Sequence, residues 1–335
     1  MHPLPPQAQI FQMLTGFAVS QAIFVAARLN IAELLAPGPM PVEQLAAATN
    51  AHADSLYRVL RALASVGVFT EVSPRRFANT PLSDCLRPGV PGSQHAGALM
   101  IADHCYPAFG ELLHSVRTGQ AGFDKHFGEP LFERLAKHPD EGKLFDQAMT
   151  SVHGAETPAM IEAYDFNAFR TIVDVGGGNG STLLEILRAA PSAKGVVFDL
   201  PGVVERTAPI IAAAGLSHRC TARGGSFFEA VPAGADAYLL RHIVHDWDDA
   251  KSAQILRRCC EAAAPGAKVL VVESVIPPGD EFHPGKWLDL VMLAVPAGRE
   301  RTASEYEKLL AAAGLKMSRI VPTKSPVSVI EAVVA

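Results

Sequence analysis

The residues best suited to chemistry lie in "AYLLRHIVHDWDD", Ala237–Asp249, where an apolar run ends on His242 and His245 and is followed by Asp246, Trp247, Asp248 and Asp249. Imidazole exchanges a proton close to neutral pH, so either histidine could serve as a general base. A metal site built from His242, His245 and an aspartate lacks a third ligand at a metal spacing, so no metal is expected. The acids read as caps at the start of the next helix, where its dipole favours negative charge. His242 reads as packed or at the solvent edge, pointing away from His245. Trp247 reads as core packing.

A second chemical stretch is "VDVGGGNGSTLLEIL", in which Asp174, Gly176, Gly178 and Gly180 form D-x-G-x-G-x-G. Glycines between a buried strand and a helix let backbone approach a ligand closely. A dinucleotide fingerprint fails here: the sixth position is Ser181 counted from Gly176 and Leu183 counted from Gly178. No G-K-[ST] follows, which excludes a phosphate-binding P-loop. Asp199 in "VVFDLP" sits at the next strand end, where a carboxylate takes the two hydroxyls of a ribose. An acid before the glycines together with that one favours S-adenosylmethionine over a nicotinamide cofactor.

The elements that hold these residues follow from hydrophobic pattern. "TIVDV", "GVVFDL", "ADAYLL" and "KVLVVES" are β-branched runs without alternation, the mark of strands buried on both faces. Helical segments Ser181–Ala189, Val203–Ala213 and Asp249–Ala263 separate them, giving a doubly wound parallel sheet. "MSRIV" and "VSVIEAVV" add two strands.

Upstream, helical periodicity dominates. Leu56, Val59, Leu60 and Leu63 fall at i, i+3, i+4, i+7 before a stop at Gly67, and "VFTEV" and "RRFANT" form a hairpin turning at Ser73 and Pro74. Helices followed by a small hairpin suggest a winged helix, a shape that often binds DNA. Residues 1–100 carry six arginines, no lysine and five acids, which is no footprint for phosphate. A helix from Gly16 to Ala36, buried on most sides in a core or against a partner chain, better fits a dimer interface.

Composition sets the outer bounds. With 335 residues, 49% apolar and net charge −5, the chain has material for two cores and no basic face for nucleic acid or anionic membrane. Five cysteines, odd in number and without C-x-x-C, read as buried free thiols in a reducing cytoplasm. "MHPLPPQAQIFQML" has no basic n-region, so no secretory signal is expected. Ser20, Gln21 and Arg28 interrupt the apolar stretch after it, so no membrane span is expected.

Taken in order, "VDVGGGNG", "FDLPGVVE", "GGSFFEAVPAGADAYLLRHIVHDWDD" and "LDLVMLAVPAGRERT" resemble the metal-independent class I O-methyltransferases of the plant caffeate and acetylserotonin type, in their bacterial branch. The resemblance spans roughly residues 171–302. It implies an α/β fold with a Rossmann-like, mostly parallel seven-stranded sheet and an N-terminal, mainly helical, winged-helix-like dimerisation domain. It implies domains at 1–100, a helical linker at 101–165 and a cofactor-binding domain at 166–335. The implied reaction is O-methylation of a small aromatic hydroxyl by a homodimer using S-adenosylmethionine.

The resemblance also assigns residues. His245 becomes the general base, and Glu273 and Glu300 become the acids that hold it. Asp174, Gly176, Gly178, Asp199, Leu200, Gly225, Ser226, Phe227 and Arg241 fall to the cofactor, Arg241 through backbone or side chain. Phe145, Met149 and Met292 fall to the substrate. Two positions depart from the family: Ser226 stands where an aspartate is usual, and Tyr106 where bacterial relatives often carry tryptophan. A winged-helix regulator, or a relative that uses the cofactor for other chemistry, remain the alternatives. An intact set of His245, Glu273 and Glu300 argues against the second.

Overall fold

The computed structural model describes residues 4–334. The chain divides into two compact units, Met1–Tyr106 with Asp140–Val152, and Pro107–Pro139 with His153–Ala335. The stretch 101–165, expected as a separate linker, is shared out between them.

In the first unit, strands β1 (Met40–Pro41), β2 (Phe69–Ser73) and β3 (Arg76–Asn79) form an antiparallel sheet in the order β1-β3-β2. Helix Ala53–Ser65 buries Leu56, Leu60 and Leu63, the periodic stripe, and Gly67 follows it at φ 82°. That φ lies where only glycine sits without a steric cost, which fixes the stop. The expected helix Gly16–Ala36 is instead two helices, Phe17–Arg28 and Ile31–Leu34, with Asn30 left-handed at the break, and a further helix, Pro6–Leu14, precedes them.

Within one chain the segment 16–36 is covered only toward its end, where Ile31, Ala32 and Leu35 are buried, and the helix ahead of it is bare. Ile10, Phe11, Met13, Leu14, Phe17 and Val19 are exposed, and only Ala26 and Ala27 of Phe17–Arg28 are buried. Pro6–Arg28 is long and apolar enough to cross a membrane by length and composition. An apolar face of this extent marks a surface that binds something.

The second unit is built on strands β4 (Thr171–Val175), β5 (Lys194–Asp199), β6 (Cys220–Gly224), β7 (Ala237–Arg241), β8 (Lys268–Glu273), β9 (Leu315–Pro322) and β10 (Ser328–Val334). Their order is β6-β5-β4-β7-β8-β10-β9, parallel except where β10 pairs antiparallel with β8 and β9. Successive side chains enter opposite cores. Leu239, Leu270 and Val272 join Met160, Leu183 and Leu187 on one face. Tyr238, Leu240, Val269 and Val271 join Leu256, Tyr306 and Leu310 on the other. Each such aliphatic side chain contributes about 1.5–3 kcal/mol on burial, so the sheet is a rigid platform. The order reverses between β4 and β7, and ligands of such sheets bind at the carboxyl ends beside that switch.

The expected buried thiols are Cys105, Cys220 and Cys259; Cys85, in the turn after helix Pro81–Asp84, is exposed, and Cys260, on helix Asp249–Ala262, is half-buried.

Candidate active site

Four carboxyl ends meet at that switch: the glycine loop after β4, Asp199 on β5, the residues after β7, and Glu273 closing β8. Past Arg241 the chain takes a left-handed step at His242, φ 52°, into a one-turn 3-10 helix, Val244–Asp246. That step aims three successive N–H groups at one carboxylate oxygen. Ile243, Val244 and His245 donate to Glu273 Oε1 at 3.1, 2.7 and 3.1 Å. Tyr306 donates its hydroxyl to Oε2 at 2.6 Å. Glu273 is fully buried and touches the backbone of the turn rather than the imidazole. The expected pair of acids on the ring is therefore one acid on the ring and one beneath its backbone.

The carbonyl side of the turn is held by a buried cation. Arg301 donates to Val244 O at 3.2 Å, Trp247 O at 3.0 Å and Asp249 Oδ1 at 2.8 Å. Hydrogen bonds to charged groups contribute about 1.5–3 kcal/mol each, so anion and cation together clamp the turn from both sides. Gly298 closes it from above: a Cβ there would lie 2.0 Å from His245 O, and the neighbouring Arg299 N–H donates to that same oxygen at 2.8 Å.

His245 is buried, with Nδ1 2.6 Å from Glu300 Oε1 and Nε2 3.6 Å from Asp246 Oδ1. An ionised carboxylate only accepts, so Glu300 sets Nδ1 as the protonated nitrogen and leaves Nε2 to accept. Burial works against a charged ring, but Asp246, Glu300 and Glu273 outweigh it and raise the imidazole above its ordinary range. Burial raises Asp246 to about 7. Asp248 caps the following helix through Lys251 N–H at 2.8 Å, and Asp249 sits in its first turn. Asp246 is no cap, because the 3-10 turn directs it back to His245.

His242 is packed, as expected, but it does not point away. Its left-handed backbone breaks strand alternation, and its ring centroid lies 5.0 Å from that of His245. Trp247 packs edge-on to Phe228 and stacks with Phe132 at 5.6 Å. His153, Glu156 and His242 form, among the described residues, the one group at metal-ligand spacing. The same carboxylate takes the Arg241 guanidinium at 3.3 Å, a fixed cation that a metal would have to displace.

The residues expected to hold S-adenosylmethionine line the other side of the switch. Gly176 lies at φ 73°, and a Cβ there would meet Ile243 Cδ1 at 2.3 Å. Gly178, at φ 55°, has open space where its Cβ would stand, and its N–H donates to Asp199 Oδ2 at 2.8 Å. Leu200 N–H donates to Asp199 Oδ1 at 2.7 Å, so both oxygens are aimed by backbone. Asp174 is buried, its Oδ2 has no partner in the chain, and burial raises it to about 7. An orphaned acid beside an open glycine loop fits a ligand that brings its own cation. Gly225 packs on the Phe198 ring, where a Cβ would lie 2.7 Å from Cε2, and the Ser226 hydroxyl accepts from Phe228 N–H at 3.3 Å. Phe227 packs at the same cluster edge. Both terminal nitrogens of Arg241 are engaged by Thr157, Thr182, His153 O and Glu156, which places its charge beside the start of the helix after the glycine loop and near Asp174.

Of the expected substrate residues, Met292 is buried on helix Pro284–Ala294, and its carbonyl accepts from Gly298 N–H at 3.0 Å. Phe145 and Met149, one turn apart on Pro139–His153, are half-buried and belong to the first unit. Sequence reasoning missed Arg301, Tyr306, Gly298 and Glu156. The first three sit in or just beyond "GRERT", whose dense charge was a usable signal; Glu156 had none.

Known proteins resemble the chain over nearly its whole length. The family model for the O-methyltransferase domain matches residues 109–316, and that for the O-methyltransferase dimerisation domain matches 11–88. The phenazine O-methyltransferase PhzM of Lysobacter antibioticus is 45% identical, covering 98% of this chain and 96% of that protein. The crystal structure of LaPhzM superposes with a TM-score of 0.96 at 44% identity, covering 99% and 100% of the two chains. NcsB1, an O-methyltransferase from neocarzinostatin biosynthesis solved with S-adenosylmethionine and 2-hydroxy-5-methyl naphthoic acid, gives a TM-score of 0.88 at 34% identity, covering 100% of each chain.

Proposed function

Since the chain belongs to the O-methyltransferase family and works with S-adenosylmethionine, we propose that it methylates a phenolic hydroxyl of a small aromatic molecule, with His245 as the general base. The observation that carries the reading is the buried His245–Glu300 contact at 2.6 Å, on a turn clamped by Glu273 and Arg301. The cofactor, when bound, supplies a methyl group activated on a positively charged sulfur.

The residues of the chain do the rest. A phenol with a pKa of about 10 is a poor nucleophile at neutral pH. His245 Nε2 takes its proton, while Glu300 holds Nδ1–H and balances the imidazolium charge. Neighbouring acids raise the basicity of the ring above its ordinary range, which favours its taking the phenol's proton. Asp174, Gly176, Gly178, Asp199 and Leu200 would hold the cofactor's charged and ribose ends, and Gly225, Ser226 and Phe227 its adenine. Arg241 would contribute through backbone or side chain. Met292, in the same unit as His245, is an apolar residue of a size to pack against an acceptor, and the ligand bound to NcsB1 supports an acceptor that is aromatic.

Two chains would pair through the exposed face of Pro6–Arg28, a reading supported by the dimerisation-family match over 11–88. Unpaired cysteines support a reducing, cytoplasmic setting.

The test is His245→Ala. Methyl transfer to a phenol panel, read by mass, should fall by about 100-fold or more while S-adenosylmethionine affinity by calorimetry is unchanged. Near-normal turnover would remove the base assignment.

A further inference from the structure

A second buried charge cluster adjoins the base turn, and methyl transfer as described leaves it without a task. Glu156, the first residue of helix Glu156–Ala163, is largely buried. Its Oε2 lies 2.8 Å from His242 Nε2 and 3.3 Å from Arg241 Nη2, and its Oε1 lies 3.3 Å from His153 Nδ1. The His153 and His242 rings stack at 3.9 Å. Arg241 and His242 are consecutive, and they are the last two residues before the three amides that converge on Glu273.

Three features tie Glu156 to the base. The first is backbone: His242 is a non-glycine residue at φ 52°, an uncommon conformation that the surrounding structure has to hold. Its strongest contact is the Glu156 carboxylate. The second is the tautomer. An ionised carboxylate only accepts, so His242 carries its hydrogen on Nε2 and its Nδ1, buried and without a partner, is a bare lone pair. Burial and the neighbouring His153 push the ring down to about 3, so it stays neutral. The third is charge. A neutral ring 5.0 Å from His245 permits positive charge to form there, whereas a protonated one would oppose it.

We propose that Glu156 is a positioning residue for methyl transfer: by holding Arg241 and His242 it fixes the left-handed step from which the base turn is hung, and so sets the His245 ring. The proposal rests on His245 being the base. Burial would raise the Glu156 carboxyl, but its hydrogen bonds to His153 and His242 outweigh burial and keep it well below the usual carboxylate range, consistent with a fixed anion.

Glu156→Gln keeps the shape and removes the charge. The expected result is a kcat about tenfold lower, with acceptor KM, S-adenosylmethionine affinity by calorimetry and Tm close to wild type. A double-mutant cycle supplies the coupling: Glu156→Gln should cost clearly less in a His242→Ala background than in the wild type, the remainder being its hold on Arg241. Additive losses, or a loss confined to KM or to Tm, overturn the proposal. Nitrogen-15 NMR of the wild-type rings is an independent check that needs no variant. His242 should be neutral with its hydrogen on Nε2 between pH 6 and 8, and an Nδ1–H tautomer or a protonated ring overturns the proposal. Normal kcat in Glu156→Gln beside an inactive His245→Ala removes Glu156 and leaves the base standing. Normal turnover in His245→Ala removes both.

Discussion

Two loops at one edge of the same sheet are built by opposite means. The glycine loop after β4 works by leaving side chains out: Gly178 has open space above it, and the nearby acids Asp174 and Asp199 are presented by or beside bare backbone. The turn after β7 works by crowding side chains in. Glu273, Arg301, Tyr306 and Glu300 together satisfy its amides, its carbonyls and one ring nitrogen. A large ligand recognised by shape needs room and backbone donors. A proton acceptor needs one atom in one place, and buried charge fixes it there. The two loops touch where Gly176 lies under Ile243.

The largest expected effect breaks the crowded side. Glu273→Ala leaves three buried amides and the Tyr306 hydroxyl without their acceptor. It should cost about 3–5 kcal/mol of stability in urea and abolish turnover. A loss below about 1 kcal/mol would show that the turn does not hang on that anion.

Breaking the open side is milder. Gly176→Ala meets both a left-handed φ, worth about 1–2 kcal/mol, and the Ile243 side chain. S-adenosylmethionine affinity should fall about tenfold, equivalent to about 1.4 kcal/mol. Adding Ile243→Ala should recover only the part due to the collision. Wild-type affinity in the single variant would contradict the role given to backbone there.

Smaller again is the pH response. Because neighbouring acids raise His245 above its ordinary 6.5, the neutral form that accepts a proton is populated only at higher pH. The limb of kcat/KM should therefore climb with an apparent pKa above 6.5. Glu300→Gln removes one of those charges and should move the limb down by about one unit while lowering the plateau. An upward shift would mean that Glu300 is not an anion in the working enzyme.

The smallest is Ser226→Asp. A charged acceptor contributes about 1.5–3 kcal/mol against about 1 for the hydroxyl, so the cofactor should bind several-fold tighter. Weaker binding by calorimetry would mean that the adenine end is arranged around serine.

The sheet was legible in the sequence wherever strands are buried on both faces, since "TIVDV" and "KVLVVE" tolerate no polar side. β6 was not. "CTARG" is an edge strand with one buried residue, and nothing in its composition separates it from a loop. At the site, residue types were legible and contacts were not. Glu273 and Glu300 look alike as letters, yet one meets amides and the other a ring, because β8 ends directly beneath the turn and "GRERT" approaches from its side. Asp246 and Asp248 are separated by one residue, and only the 3-10 turn distinguishes a partner of His245 from a helix cap. The left-handed step at His242 defeated alternation, which is why its closeness to His245 could not be read.

The way the chain is shared between its two units has a consequence for its birth. The first unit is complete once residue 152 is made, whereas the second begins at 107, is interrupted at 140–152 and closes only with the last strand. A nascent chain therefore carries Pro107–Pro139 as an unclaimed segment until the ribosome has finished nearly everything that follows. The two halves are not exchangeable cassettes: a cut at any single junction strands part of one unit with the other, and a chimera has to be spliced at three points, not one.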